Sequence, residues 1–191
     1  MSSLYIAIHK GNLTLDEIKT KINLTGGDKS VISITRVNKR DHDGNYYETN
    51  RCLLLLSQSV SQMIDSGTFK VPGLRISEYQ LGKYDFPDPE RHQRDRLFVL
   101  FPSNISPKEL RSELEAKMEQ LSPLYFHDHN YKIFISVKRQ SNTCYASVRF
   151  ISHYDDDLEN TEIVTSLVRL ALNNMEWDNG NIVCRFMNKG G

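Results

Sequence analysis

The sequence has no excess of charge of either sign. Its 191 residues include 24 lysines and arginines and 24 aspartates and glutamates. A balanced chain exerts no bulk attraction on a polyanion, so any nucleic-acid binding must depend on local surfaces. The charged fraction of 25% and the hydrophobic fraction of 39% are those of an ordinary globular protein and exclude a disordered chain.

Cysteines and long apolar segments are also scarce. The three cysteines, Cys52, Cys144 and Cys184, fall in predicted strands without metal-type spacing, so we expect buried thiols in a reducing compartment and no disulfide. No window approaches about 18 apolar residues, and the amino terminus lacks a basic start followed by an apolar stretch. These absences predict an intracellular protein, in the nucleus or cytoplasm, with no membrane partner.

Motifs for catalysis are missing too. The chain has no glycine-rich phosphate loop, nucleophile elbow or paired-carboxylate motif. His127 and His129 flank Asp128, but two ligands without a third fall far short of a zinc signature. The acidic run from Asp155 to Asp157 precedes a predicted helix, where its charge suits the positive helix end. We therefore expect no enzyme activity, no cofactor and no metal site.

The order of predicted elements occurs twice. Each half gives strand, helix, strand, strand, helix, strand, and each first helix begins with a capping box, at Thr14 to Glu17 and at Ser106 to Glu109. Two copies of one unit are a stronger signal than any single motif. This order is the split β-α-β, ferredoxin-like arrangement, in which both helices cover one face of a four-stranded antiparallel sheet. The fold class is therefore predicted as α+β.

The domain boundaries follow from composition. Residues 1–82 hold the first repeat and residues 96–191 the second. Residues 83–95 are rich in proline and charge, so we expect an exposed linker, whose neighbouring basic residues could order on a ligand. The basic residues in question are Arg91, Arg94 and Arg96.

Two strands of the second repeat carry a recognisable pattern. The first runs from Leu97 to Pro102, and the second from Thr143 to Phe150. In the second, Tyr145, Ala146, Val148 and Phe150 match the motif K/R-G-F/Y-G/A-F-V-x-F/Y, whereas Thr143, Cys144 and Ser147 do not. The chain thus resembles a tandem RNA-recognition motif (RRM) protein. In that family the open sheet face stacks bases on aromatic rings.

The resemblance implies site residues in the second repeat. Phe98 and Tyr145 correspond to the stacking pair. Strand alternation adds further residues on the same face, and two basic residues are expected in a flanking loop. Those on the face are Phe134, Lys132, Arg149 and Arg185, and those in the loop are Lys138 and Arg139. The alternative is that a few exposed rings and charges are simply what a half-solvated sheet displays.

The first repeat is poorer in aromatic residues. Tyr5 matches the first-strand ring, but the third strand brings only arginine, cysteine and leucine to the stacking positions. A long loop with basic residues and two tyrosines could clasp RNA, or it could be a solvated hairpin loop. Its members are Arg36, Lys39, Arg40, Tyr46, Tyr47 and Arg51.

The predicted function is binding of single-stranded RNA, mainly by the second repeat. The leucine-rich strand at Leu53 to Leu56 leaves an alternative open. In that interpretation the chain is a protein-protein interaction module built from degenerate RRM-like domains, with a possible protein partner on the first. Its contacts would come from Leu53 to Leu56 and from the acidic helix residues Glu113, Glu115 and Glu119.

Overall fold

The computed structural model describes residues 4–102, 104–125, 131–153, 158–173, 175–178 and 180–190. The chain divides into two compact units, one ending at Gln80 and the other beginning at Leu81. The residues considered above as weak metal or capping candidates, His127, His129 and Asp155 to Asp157, lie outside the described residues.

The first unit contains four strands and two helices. In chain order they are β1 (Leu4–His9), α1 (Leu15–Gly26), β2 (Val31–Arg40), β3 (Tyr46–Leu56), α2 (Gln58–Asp65) and β4 (Leu74–Glu78). The strands form one antiparallel sheet in the order β2-β3-β1-β4.

Local sequence explains the position of α1. The hydroxyl of Thr14 accepts a hydrogen bond of 3.1 Å from the amide of Glu17, so the predicted cap forms. The helix ends where Gly27 adopts a φ of 95°, a conformation that suits glycine. Between these ends, Ile18 and Ile22 are fully buried against the sheet. The amphipathic stripe therefore fixes which side of the sheet α1 covers.

The second unit repeats this plan with two additions, a 3₁₀ turn at its start and a small hairpin before its last strand. Its elements are a 3₁₀ turn (Lys83–Asp85), β5 (His92–Leu100), α3 (Pro107–Tyr125), β6 (Tyr131–Gln140), β7 (Thr143–Ser152), α4 (Leu158–Leu172), β8 (Glu176–Trp177), β9 (Gly180–Asn181) and β10 (Val183–Asn188). The main sheet has the order β10-β5-β7-β6, and β8 pairs with β9 in a small hairpin. The hairpin packs Trp177 edge-on against Phe101, with ring centroids 5.0 Å apart.

Both main sheets have the strand order of the ferredoxin-like fold, with the first and third strands in the centre. The predicted α+β class and the repeated β-α-β-β-α-β order are confirmed. No helix among the described residues has both the length and the apolar character needed to cross a membrane.

The segment predicted as an exposed linker, residues 83–95, is structured in the second unit. Strand β5 already begins at His92, and Pro87 is buried. Asp85 faces Arg169 of α4 at 4.0 Å, and Lys189 donates a backbone hydrogen bond of 2.9 Å to the carbonyl of Arg91. Arg94 also pairs with Glu162 of α4, and the second compact unit begins at Leu81.

Candidate nucleic-acid interface

The second unit has a sheet face directed away from its helices. Leu97, Val99, Ala146 and Val148 are fully buried on the helix side of β5 and β7. Because side chains alternate along a strand, the residues between them lie on the opposite, open face. Phe98 and Tyr145 are both half-buried there.

Strand register arranges the open face in three rows. In the first, Arg185, Phe98, Ser147 and Ser136 lie side by side across four strands. In the second, Tyr145 lies between Leu100 and Lys138. In the third, Arg149 lies between Arg96 and Phe134. Lys132, opposite Ile151, continues the face beyond Phe134, so the residues predicted for the second repeat share one surface with the exception of Arg139.

The aromatic residues of this face are close together. The ring centroids of Phe98 and Tyr145 are 5.3 Å apart, and the ring planes are inclined by 34°. Towards the edge of the sheet, Phe134 is 46% exposed, and the Lys132 ammonium lies 5.1 Å from its ring centroid. Three rings on one face provide flat apolar surfaces of the kind that nucleobases stack on.

The basic groups form a local surplus of positive charge. Arg149 donates from Nε to Asp95 Oδ2 at 3.1 Å, which orients its guanidinium on the face. Asp95 is the only carboxylate that ion-pairs with this face among the described residues, whereas Arg96, Arg149 and Arg185 each carry a positive charge. A chain that is neutral as a whole therefore presents a positive surface at this site.

Arg96 was predicted only as a basic residue beside the linker that could order on a ligand, not as part of the open face. It lies in β5 directly opposite Arg149. Its Nε is buried and has no hydrogen-bond partner among the described atoms. Extending the alternation of β5 by two residues from Phe98 would have placed it on the open face.

Two basic residues expected in a loop are strand residues. Lys138 and Arg139 both belong to β6 and are exposed. Lys138 lies opposite Tyr145 and so shares the open face. Arg139 lies opposite the buried Cys144, so its side chain starts from the other face of the sheet.

Tyr5, predicted on the open face of the first unit, is a core residue. It is 2% exposed and packs in the cluster that contains Ala7, Leu54 and Ile18. Burial raises the pKa of its phenol, with Asp65 and Glu78 adding to the increase. The prediction was wrong because Leu4, Ile6 and Ile8 make both faces of β1 apolar, and pairing with Leu54 places Tyr5 on the helix side.

Arg36 is likewise engaged within the first unit. It lies in β2, opposite the buried Cys52, and not in a loop. Its Nη2 donates to the carbonyl of Leu13 at 2.5 Å, and its Nη1 lies 2.6 Å from His9 Nε2. These bonds tie the strand to the turn before α1, which makes the guanidinium a structural group.

The rest of the first unit has no aromatic open face among its described side chains. Arg51 is exposed opposite Ile8 in β1, and Leu53 and Ile6 are half-buried on the same face. Tyr47 is 50% exposed at the start of β3. The backbone of Arg40 ends β2, and the side chains of Arg40 and Tyr46 lie outside the described part of the chain.

No arrangement of groups for metal binding occurs in the ranges that the structure describes. The cysteines there are free and buried, and desolvation raises the pKa values of Cys52 and Cys184, the latter to about 12. A thiol with such a pKa is a poor nucleophile.

No protein-family model matches this sequence, and no curated protein sequence matches it. Among solved structures, the Sex-lethal RNA recognition domains 1 and 2 from Drosophila melanogaster match at 15% identity over 97% of this chain and 99% of that chain, with a TM-score of 0.29. A protein from Galdieria sulphuraria described as unknown matches at 11% identity over 97% and 95% of the two chains, with a TM-score of 0.23. At these TM-scores, the assignment rests on the strand order within each unit, which defines a protein of two ferredoxin-like α+β units.

Proposed function

We propose that this protein binds single-stranded RNA, without catalysis, on the open face of the second unit. The observation that supports this proposal is the contact between Phe98 and Tyr145 on a face that also carries the guanidinium groups of Arg96, Arg149 and Arg185. Rings bind base faces, and guanidinium groups bind phosphate, so both parts of a nucleotide have a matching surface.

The geometry favours a single strand over a duplex. A base can stack on a protein ring only when it is not already stacked between its neighbours in a helix, and bases of single strands meet that condition. Ser147 and Ser136 lie in the row of Phe98, and their hydroxyl groups can supply donors and acceptors to base edges or ribose hydroxyls.

The basic residues surround the rings, which suits a strand with bases inward and phosphates outward. Arg185 lies on one side of Phe98, and Lys138 lies beside Tyr145 on the other. Arg149 is held by Asp95 and loses little freedom on binding. Each of these charges can neutralise one phosphate.

A second function is favoured by the first unit. Its open face carries half-buried aliphatic side chains such as Ile6 and Leu53. An aliphatic sheet face suits contact with another protein better than stacking with bases. A protein-interaction role for this unit is therefore the alternative to RNA binding by both units.

Titration of the isotopically labelled full chain with a pool of short random RNA, followed by amide chemical shifts, tests the proposal. We expect saturable shifts centred on β5 and β7, and much smaller shifts with duplex RNA of the same length. Shifts confined to the first unit, or no saturable shifts, would refute the assignment of the second unit's face.

A further inference from the structure

A cleft on the second unit lies between α3 and the edge strand β6, and Phe134 is part of its lining. Its volume is about 470 Å³. Met118 of α3 is buried and Ile133 and Ile135 of β6 are half-buried, and together they give the cleft an apolar lining. Glu115 and Glu119 belong to the same lining. A volume of this order is sufficient for one or two side chains of a bound peptide.

The outer side of β6 has main-chain groups that the sheet does not use. Among the described strands, β6 pairs only with β7. Arg111 Nη1 donates to the carbonyl of Ile135 at 2.8 Å, which shows that this carbonyl points away from β7. Along an antiparallel strand, residues whose main-chain groups bond to the neighbouring strand alternate with residues whose groups point away from it. Ile133 and Val137 therefore also direct their main-chain groups outward. An edge of this kind is a template for an added extended segment.

The charges beside the cleft select the ligand. Glu115 and Glu119 are exposed and one helical turn apart, and neither has an ion-pair partner among the described residues. The nearby guanidinium of Arg111 is bonded to the strand carbonyl. Two carboxylates against the one guanidinium of Arg111 leave the lining net negative, which disfavours RNA and favours lysine or arginine.

We propose that this cleft binds an extended segment of a partner protein that pairs with the outer edge of β6. Side chains alternate along such a segment, so those facing α3 would be apolar and basic, to match Met118, Ile133 and the two glutamates. Those on the other face would lie beside Lys132 and Lys138 and would be neutral or acidic. Phe134 belongs both to the lining of this cleft and to the proposed RNA surface, so the two sites adjoin at β6.

A designed peptide serves as the probe. The peptide is short, acetylated at its amino end and amidated at its carboxyl end. Threonine occupies every second position, and the positions between are arginine, leucine and arginine in that order. We expect its titration into the labelled full chain to shift the amides of Ile133, Ile135 and Val137 and those of α3 around Glu115. The double variant E115Q/E119Q should bind the peptide about 2–10-fold more weakly, since two exposed charge pairs are lost. The control E78Q/E90Q, which removes the same charge from exposed positions elsewhere, should bind like the wild type.

Two altered probes complete the test. A peptide with glutamate in place of both arginines, and one whose main-chain amides are methylated, should each fail to shift β6, because they lack charge complementarity and strand pairing respectively. The inference is overturned if the original peptide causes no saturable shift, if the methylated peptide binds as well, or if E115Q/E119Q binds with unchanged affinity. It is also overturned if random RNA shifts the α3 amides around Glu115 more than the peptide does.

Discussion

The rings of Phe98 and Tyr145 touch across two neighbouring strands, with centroids 5.3 Å apart. In the strand register Phe98 lies opposite Ser147, so the two rings are diagonal neighbours. Rings this close leave no space for a base between them. Two bases would therefore stack on the outward surfaces of the rings, one on each.

Removal of both rings should abolish most of the RNA affinity. The double variant F98A/Y145A is expected to bind random single-stranded RNA several kcal/mol more weakly, because each stacked base contributes about 1–3 kcal/mol. Fluorescence anisotropy at one salt concentration measures the loss, and circular dichroism checks that the fold persists. The control is Y84A, since Tyr84 is 91% exposed elsewhere in the same unit. Equal affinities of F98A/Y145A and Y84A would contradict the stacking role.

The position of Arg96 predicts how the RNA affinity depends on salt concentration. If Arg96 neutralises one phosphate, the variant R96Q should lower the slope of log affinity against log salt concentration by about 0.7, the value for one contact to a single strand. Arg139 provides a matched control because it is exposed but starts from the opposite face of the sheet. We expect R139Q to keep the wild-type slope. A slope that falls equally in both variants would show that Arg96 acts only through the overall charge.

Much of the fold could be predicted because its signals are local. The capping hydrogen bonds at Thr14 and Ser106 depend on residues three positions apart, and both form. The open face of the second unit was also predictable. Leu97 and Val99, which are buried, alternate with Phe98, so only one assignment of side chains to the two faces fits the pattern.

The errors arose where partners distant in sequence determine the outcome. Tyr5 belongs to a strand that is apolar on both faces, so only its pairing with β3 fixes its direction. Arg36 is bonded to the carbonyls of Leu13 and Thr49. The segment before β5 looked like a linker because the residues that hold it, such as Arg169 and Lys189, lie far along the chain.

Cys184 predicts a dependence of stability on alkaline pH. Burial raises the pKa of its thiol from 9.0 to about 12, with Arg169 opposing the increase. The folded state therefore keeps a proton that the unfolded state loses, and this contribution is complete below about pH 9 and declines above it, by at most about 1.4 kcal/mol per pH unit. Urea denaturation of the wild type and C184A between about pH 7 and pH 11 measures this decline.

The variant C184A should be less stable at neutral pH, because it leaves a cavity, but its stability should fall less steeply above about pH 9. Lysines and tyrosines that titrate in the same pH range are present in both proteins. The difference between the two slopes of unfolding free energy against pH therefore removes their contributions. Parallel curves for the two proteins would show that the buried thiol does not control this pH dependence.

The structured segment before β5 predicts how the stability of the second unit depends on the residue at which a truncated chain begins. A chain of residues 81–191 should unfold at a higher temperature than a chain of residues 96–191, because the shorter one loses several interactions. It lacks the Arg94–Glu162 and Asp85–Arg169 ion pairs, the buried Pro87, the backbone bond from Lys189 to Arg91 and the first part of β5. The backbone bond contributes about 0.5–1.5 kcal/mol and each partly exposed ion pair up to about 1 kcal/mol, so a loss on the order of 1–3 kcal/mol is expected.

Calorimetry of the two chains tests this boundary, and RNA titration of the same samples tests the division of function. The longer chain should keep most of the affinity of the full protein, since Phe98, Tyr145 and the guanidinium groups around them all lie within it. A chain of residues 1–80 should bind RNA weakly, because Tyr5 is in its core and Arg36 is bonded internally. Equal unfolding temperatures for 81–191 and 96–191 would restore the linker interpretation. Tight RNA binding by 1–80 alone would move the principal site to the first unit.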